Sequence, residues 1–202
     1  MTRKLVFLVL AATLGLAVTG VASAKWFNVI RGTKNADVLP GTDNRDFILG
    51  FAGDDQINAA GANDVVLAGR DNDTVDGGAG FDRIRGGQGN DTLSAGDDGG
   101  VLWGGYGNDT LNAGNSGRNR LHGGKGDDRL NGGSGRDKLW GGFGADTLNG
   151  GAGNDVLHSL APDGQVDTLD CGPGDHDVAW VRSDEHDTVV NCEIVKTVTV
   201  SS

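Results

Sequence analysis

GGKGDDRLN, GGSGRDKLW, GGFGADTLN and GGAGNDVLH follow one another without a break over residues 123–158. Each copy opens on two glycines, has a third at position four, an aspartate at position six and a leucine at position eight. Outward from this stretch the pattern returns in GGAGFDRIR at residues 77–85, GGQGNDTLS at 86–94 and GGYGNDTLN at 104–112, and looser copies carry the register back to Gly32. The result is fourteen units between Gly32 and His158. A fixed period of nine over that length marks a repeat architecture in which each unit packs on its neighbours. Composition agrees. With 37 glycines and 5% aromatic residues an ordinary layered core is out of reach, and the glycines are periodic where those of a disordered linker would be scattered.

The seven copies that keep all the glycines and the aspartate resemble the hemolysin-type calcium-binding nonapeptide (RTX) repeat, G-G-x-G-x-D-x-U-x. The resemblance implies an all-β fold, a parallel β-roll. In this right-handed solenoid six residues of each nonad turn, three form a strand, and two nonads make a coil. About seven coils are expected, capped by a short irregular β segment. Alternation along each strand points position eight inward and its neighbours outward, giving an inward series from Leu39 and Ile48 to Leu148 and Leu157. Ile30 continues it one unit earlier, which suggests an N-terminal capping strand at residues 25–31 before the roll at 32–158. The resemblance also implies multiple Ca²⁺ ions between consecutive loops of one edge, each held by backbone carbonyls and an aspartate from either loop. Such a donor set suits a hard cation that takes six to eight oxygens.

Sorting alternate loops puts Asp37, Asp55, Asp73, Asp91, Asp109, Asp128 and Asp146 on one edge without a gap. The other carries Asp46, Asp64, Asp82, Asp137 and Asp155, with Gly100 and Asn119 where two aspartates would fall. The first edge has room for six ions and the second for about three that are fully paired. Loops near the N-terminus, such as GTKNAD, AAGAND and AGRDND, place Asn, Asp or Ala where glycine is expected.

Residues 1–24 read as a secretory signal. Arg3 and Lys4 precede an apolar run, and Ala22-Ser23-Ala24 offers a cleavage site before Lys25. A retained membrane anchor is the competing reading, opposed by Thr13, Gly15 and Gly20 within the run. Export then makes the chain a secreted, extracellular protein with no membrane span after cleavage. Losing the two basic residues takes the net charge from −11 to −13, which argues against nucleic acid and for divalent cations as partners. In an exported chain the only two cysteines, Cys171 and Cys192, most simply form a disulfide, with a metal–thiolate site as the alternative. They lie in residues 159–202, whose D-C-G-P-G and C-E-x-V motifs resemble a terminal module found after such repeats in exported bacterial proteins. Capping the solenoid is its expected role.

The two strand faces differ. One presents a polar ladder including Thr74, Thr92, Thr110 and Asn149, the other apolar, aromatic and basic residues including Arg85, Trp103, Arg120, Lys138 and Trp140. Trp103, Trp140, Arg85, Arg120 and Lys138 thus form a candidate partner face for a cell-surface glycan or a protein. A bare solvated face, or one covered by the C-terminal segment, is the plainer alternative. His122 and His158 fall at outward positions and need no special role. No H-E-x-x-H or G-x-S-x-G motif is present, so no enzyme activity and no catalytic residue are expected. The expected function is a secreted calcium-binding structural or adhesive surface module that folds on Ca²⁺. The alternative is a small extracellular polysaccharide-binding or polysaccharide-modifying protein using the Trp/Arg/His face.

Overall fold

The computed structural model describes residues 27–115 and 117–200, and the expected signal at residues 1–24 lies outside them. Most successive strands fall alternately in two parallel sheets. The broader sheet has ten strands, from Asn28–Arg31 to Ile194–Val198, and the narrower has nine, from Val38–Thr42 to Thr188–Val190. A two-stranded ladder, Ser134–Gly135 with Ala152–Gly153, joins two loops. The broad sheet earns its width where the chain stays extended into the next glycine loop, as in Asp82–Gln88 and Gly100–Tyr106. Narrow-sheet strands such as Thr74–Asp76 stop at three residues.

Position eight sets the core. Ile48, Val66, Ile84, Leu102, Leu121, Leu139 and Leu157 stack rung on rung in the broad sheet. Leu39, Ile57, Val75, Leu93, Leu111, Leu130 and Leu148 do so in the narrow one. All fourteen are buried, as the alternation requires. The core is therefore one side chain deep from either sheet, and the loops must close over it without bulk. At Gly87 the backbone has φ 128°, and a Cβ there would run into the Gly69 carbonyl of the turn before, so only glycine fits.

The roll does not end at His158. Thr168–Asp170 and Thr188–Val190 extend the narrow sheet, Val178–Arg182 and Ile194–Val198 the broad one, with Leu169 on Leu148 and Ala179 on Leu157. Where an irregular cap after about seven coils was expected, the chain winds on to about nine turns. The physical reason is that Asp167-Thr168-Leu169 and Asp177-Val178-Ala179 keep the aspartate, outward and inward positions of the strand triplet although the loops before them change length. In the second of these loops Gly172 and Gly174 still stack on Gly151 and Gly153 of the turn before. Cys171 and Cys192 are joined in a disulfide with Cα atoms 5.1 Å apart, tying the last two rungs of the narrow sheet. No helix among the described residues is long and apolar enough to cross a membrane.

Candidate metal centres

From Asp55 on one edge and Asp64 on the other, each position-six aspartate acts first as a clip. Its Oδ1 accepts the backbone N–H of the position-six residue one turn earlier: Asp91 from Asp73, Asp109 from Asp91, Asp128 from Asp109 and Asp146 from Asp128, all at 2.8 Å. On this first edge the series starts with Asp37 donating to Asp55 and runs past the repeats to Asp167 and Asp187. The second edge has the same clip from Asp46 to Asp64 to Asp82, and from Asn119 to Asp137 to Asp155 to Asp177, where Glu193 supplies the last acceptor. A second, exposed ladder runs the opposite way through position five. The N–H of Asn90 donates to Asn72 Oδ1, that of Asn108 to Asn90, and that of Asp127 to Asn108.

The other carboxylate oxygen divides the aspartates. Oδ2 is buried without a hydrogen-bond partner in Asp55, Asp73, Asp91, Asp109, Asp128 and Asp146 on the first edge, and in Asp64, Asp82, Asp137, Asp155 and Asp177 on the second. A buried acceptor left unmade costs about 1–3 kcal/mol, more when charged. Burial accordingly pushes these carboxyls up, to about 7 for Asp73, Asp109 and Asp146 and to about 8 for Asp128, where Asp109, Asp146 and Asp127 add like charge. The position-one glycine makes room for the oxygen: a Cβ on Gly86 would overlap Asp91 Oδ2.

Asp37 and Asp46 are wired differently. Their loops carry Thr33 and Thr42 at position two, outside the positive-φ region that every later position-two residue of the repeats adopts. The Thr33 and Thr42 N–H groups donate to Asp37 Oδ2 and Asp46 Oδ2 at 2.6 Å. At the far end of the first column the Ser159 hydroxyl closes on Asp167 Oδ2. Both interrupted loops of the second edge are also satisfied. Asn119 Oδ1 accepts from the Gly100 N–H, its Nδ2 donates to Asp137 Oδ1, and Asp98 accepts from the Gly80 N–H.

A family model for the RTX calcium-binding nonapeptide repeat matches residues 31–66, 67–102, 101–115, 113–148 and 122–157. The chain belongs to that family. No curated protein matches it. RTX repeats bind Ca²⁺, and the buried aspartates fit several such sites, because each unpartnered Oδ2 is a hard, anionic oxygen with a vacant lone pair. Among the described residues no three His, Cys, Asp or Glu side chains converge, so an ion in this RTX roll needs backbone carbonyls to complete its oxygen shell. Asp177, which opens a looser unit beyond the matched repeats, is absent from the metal set expected from sequence, yet its Oδ2 is buried like the others. Its signal is the triplet Asp177-Val178-Ala179, obscured by the extra residue in the loop CGPGDHD.

The broad face is also built otherwise than expected. Trp103, His122, Trp140, His158 and Trp180 form one continuous stack, with ring centroids 6.1, 4.3, 5.1 and 6.1 Å apart and planes within 11° of parallel. Lys196 closes it over Trp180 at 4.6 Å. Rungs about 4.8 Å apart bring position-nine rings into mutual contact. Both faces of Trp140 are therefore covered by His122 and His158, and neither is open to a sugar ring. The histidines have a role after all, and burial together with Arg120 beside His122 and Lys138 beside His158 holds both below the ordinary histidine range. Arg85, Arg120 and Lys138 remain exposed on this face, with Trp103 at 38%. The C-terminal segment extends the broad sheet at its end and leaves that face uncovered.

Proposed function

We propose that this chain is a secreted structural or adhesive module whose roll is completed by calcium outside the cell. The observation that carries this reading is the set of eleven buried, unpartnered carboxylate oxygens, six stacked on one edge. Bound calcium supplies positive charge and further coordination to those oxygens. The chain's own groups do the rest: each Oδ1 fixes the spacing of successive turns, and a small position-one residue, glycine in most loops and Ala59 or Ala68 before Asp64 and Asp73, leaves the room that Oδ2 occupies.

In this reading the metal ligands are Asp55, Asp64, Asp73, Asp82, Asp91, Asp109, Asp128, Asp137, Asp146 and Asp155, with Asp177 as a further member. Asp37 and Asp46, closed by Thr33 and Thr42, serve as metal-free end rungs. Secretion is supported by the disulfide and by the leader-like residues 1–24. Far-ultraviolet circular dichroism during a Ca²⁺ titration tests the core of the proposal. We expect β signal to rise with calcium and to fall on chelation at neutral pH, and an unchanged spectrum would defeat it. A glycan-binding role for the broad face is favoured by its exposed Arg85, Arg120 and Lys138 on an otherwise acidic chain. Ring-edge contacts and ionic pairing are then the available modes, not face-on stacking at Trp140.

A further inference from the structure

The second edge gathers base where it loses acid. Around Asn119, Arg118, Arg120, Arg136 and Lys138 line a cleft of ≈ 420 Å³, with Phe81 as an apolar wall. Register arranges the four cations as two pairs. Arg120 and Lys138 are partners on adjoining strands, and Arg118 and Arg136 stand two residues before them in successive loops of the same edge. The Lys138 N–H donating to the Asn119 carbonyl at 3.0 Å fixes the spacing of the two turns.

All four side chains are exposed, and among the described residues the only ion pairs are those of Arg182 with Asp184 and Glu185. Four unpaired cations crowded onto two rungs repel one another, and on a chain of net charge −11 they are an exception in need of a counter-charge. Asn119 forms the floor. Being neutral and hydrogen-bonded to both neighbouring turns, it replaces the buried carboxylate that would otherwise lie beneath an incoming anion.

We infer that this cleft binds a sulfated polysaccharide. The inference rests on the adhesive reading above and names its site and its ligand. Paired guanidinium forks match oxyanions, and Phe81 offers an apolar surface to a sugar ring. Rungs about 4.8 Å apart set more than one positive charge per sugar length, a density that sulfation reaches and a single carboxylate per ring does not. The basic window is bounded along this edge by the exposed Asp97 and Asp98 in the loop before Arg118 and by the exposed Asp175 two loops after Arg136. A duplex nucleic acid would bring its flanking phosphates against those acidic loops.

The test is calorimetric titration of the calcium-loaded chain with a heparin-derived hexasaccharide. The double variant Arg118→Gln, Arg136→Gln should keep its circular dichroism and bind at least about tenfold more weakly, while Arg70→Gln, on the other edge, should bind as the parent does. Undiminished binding by the double variant overturns the site. So does loss of binding in Trp103→Ala, Trp140→Ala alone, which moves the ligand to the broad face. Inorganic sulfate binding as tightly as the hexasaccharide overturns the polysaccharide assignment. A chain that adheres to cells without binding the hexasaccharide refutes this inference and leaves adhesion standing, whereas hexasaccharide binding without adhesion supports the cleft and removes the adhesive role.

Discussion

Asp128 shows how one residue can hold two opposed duties. Its Oδ1 is committed to the Asp109 N–H, while its Oδ2 is buried alone with the carboxyl pushed up to about 8. A raised value means that the folded chain binds the proton more tightly than the unfolded chain. In calcium-free protein the stability from this group is therefore complete below 3.8 and lost as pH rises through about 8, and Asp73, Asp109 and Asp146 follow through about 7. The expected outcome is that the chelated chain gains β structure on acidification from pH 8 to pH 5, while calcium affinity falls over the same range. Circular dichroism and calorimetry across that window check both. His122 and His158, held low, pull the other way at the acid end. Asp128→Asn should mimic Asn119: fewer calcium ions bound, and a higher melting temperature for the calcium-free chain. At Ala62, where a side chain is forced to φ 74°, replacement by glycine should stabilise by about 0.5–1 kcal/mol, since relief of the left-handed strain exceeds the glycine's added entropy.

At the level of the single turn, the loops fall into closed and open kinds, and the sequence marks the difference with one residue. Thr33 and Thr42 turn an N–H onto Asp37 and Asp46, so Asp46→Ala should cost about 1–3 kcal/mol by losing the bonds of the Thr42 N–H and hydroxyl to its carboxylate yet leave calcium stoichiometry unchanged. Asp109→Ala should lower the stoichiometry. Equal calcium loss in the two variants would contradict the division. Asn119→Ala should also bind calcium normally but melt earlier, because Asn119 clips Gly100 and Asp137 rather than standing idle in a degenerate loop. In the last turns the disulfide closes a 21-residue separation, worth about 3 kcal/mol in the chain-entropy model. Reduction should therefore expose the strands Thr188–Val190 and Ile194–Val198 to hydrogen exchange before the repeats.

For the molecule as a whole, the fold was legible because two periods coincide: nine in the glycines and aspartates, and two along each strand, so that Ile48 and Leu157 could be placed inside from position alone. The two further turns were harder to read. Their loops at residues 159–166 and 171–176 break the spacing while Leu169 and Ala179 keep the register, and loop spacing is the louder signal. Of the site, the positions of the aspartates were readable, but not which oxygen each leaves free. That depends on whether a position-two residue lies at positive φ, as Gly87 does and Thr42 does not. Of the basic cleft, Arg120 and Lys138 were readable as outward residues of a partner face, whereas Arg118 and Arg136 are 18 residues apart and join them only when adjoining turns stack.

Rung-by-rung pairing also governs how the chain bears tension. Each turn is bonded to the one before and the one after, so a pull on the two termini loads a single rung at a time instead of shearing a whole sheet. Releasing one turn of about 18 residues pays out roughly 60 Å of slack. The roll is thus a stepwise extensible tether, with its cysteine-linked end as the stop. Single-molecule stretching should give a train of small, evenly spaced yields whose force rises with calcium, and the last segment should lengthen only after reduction.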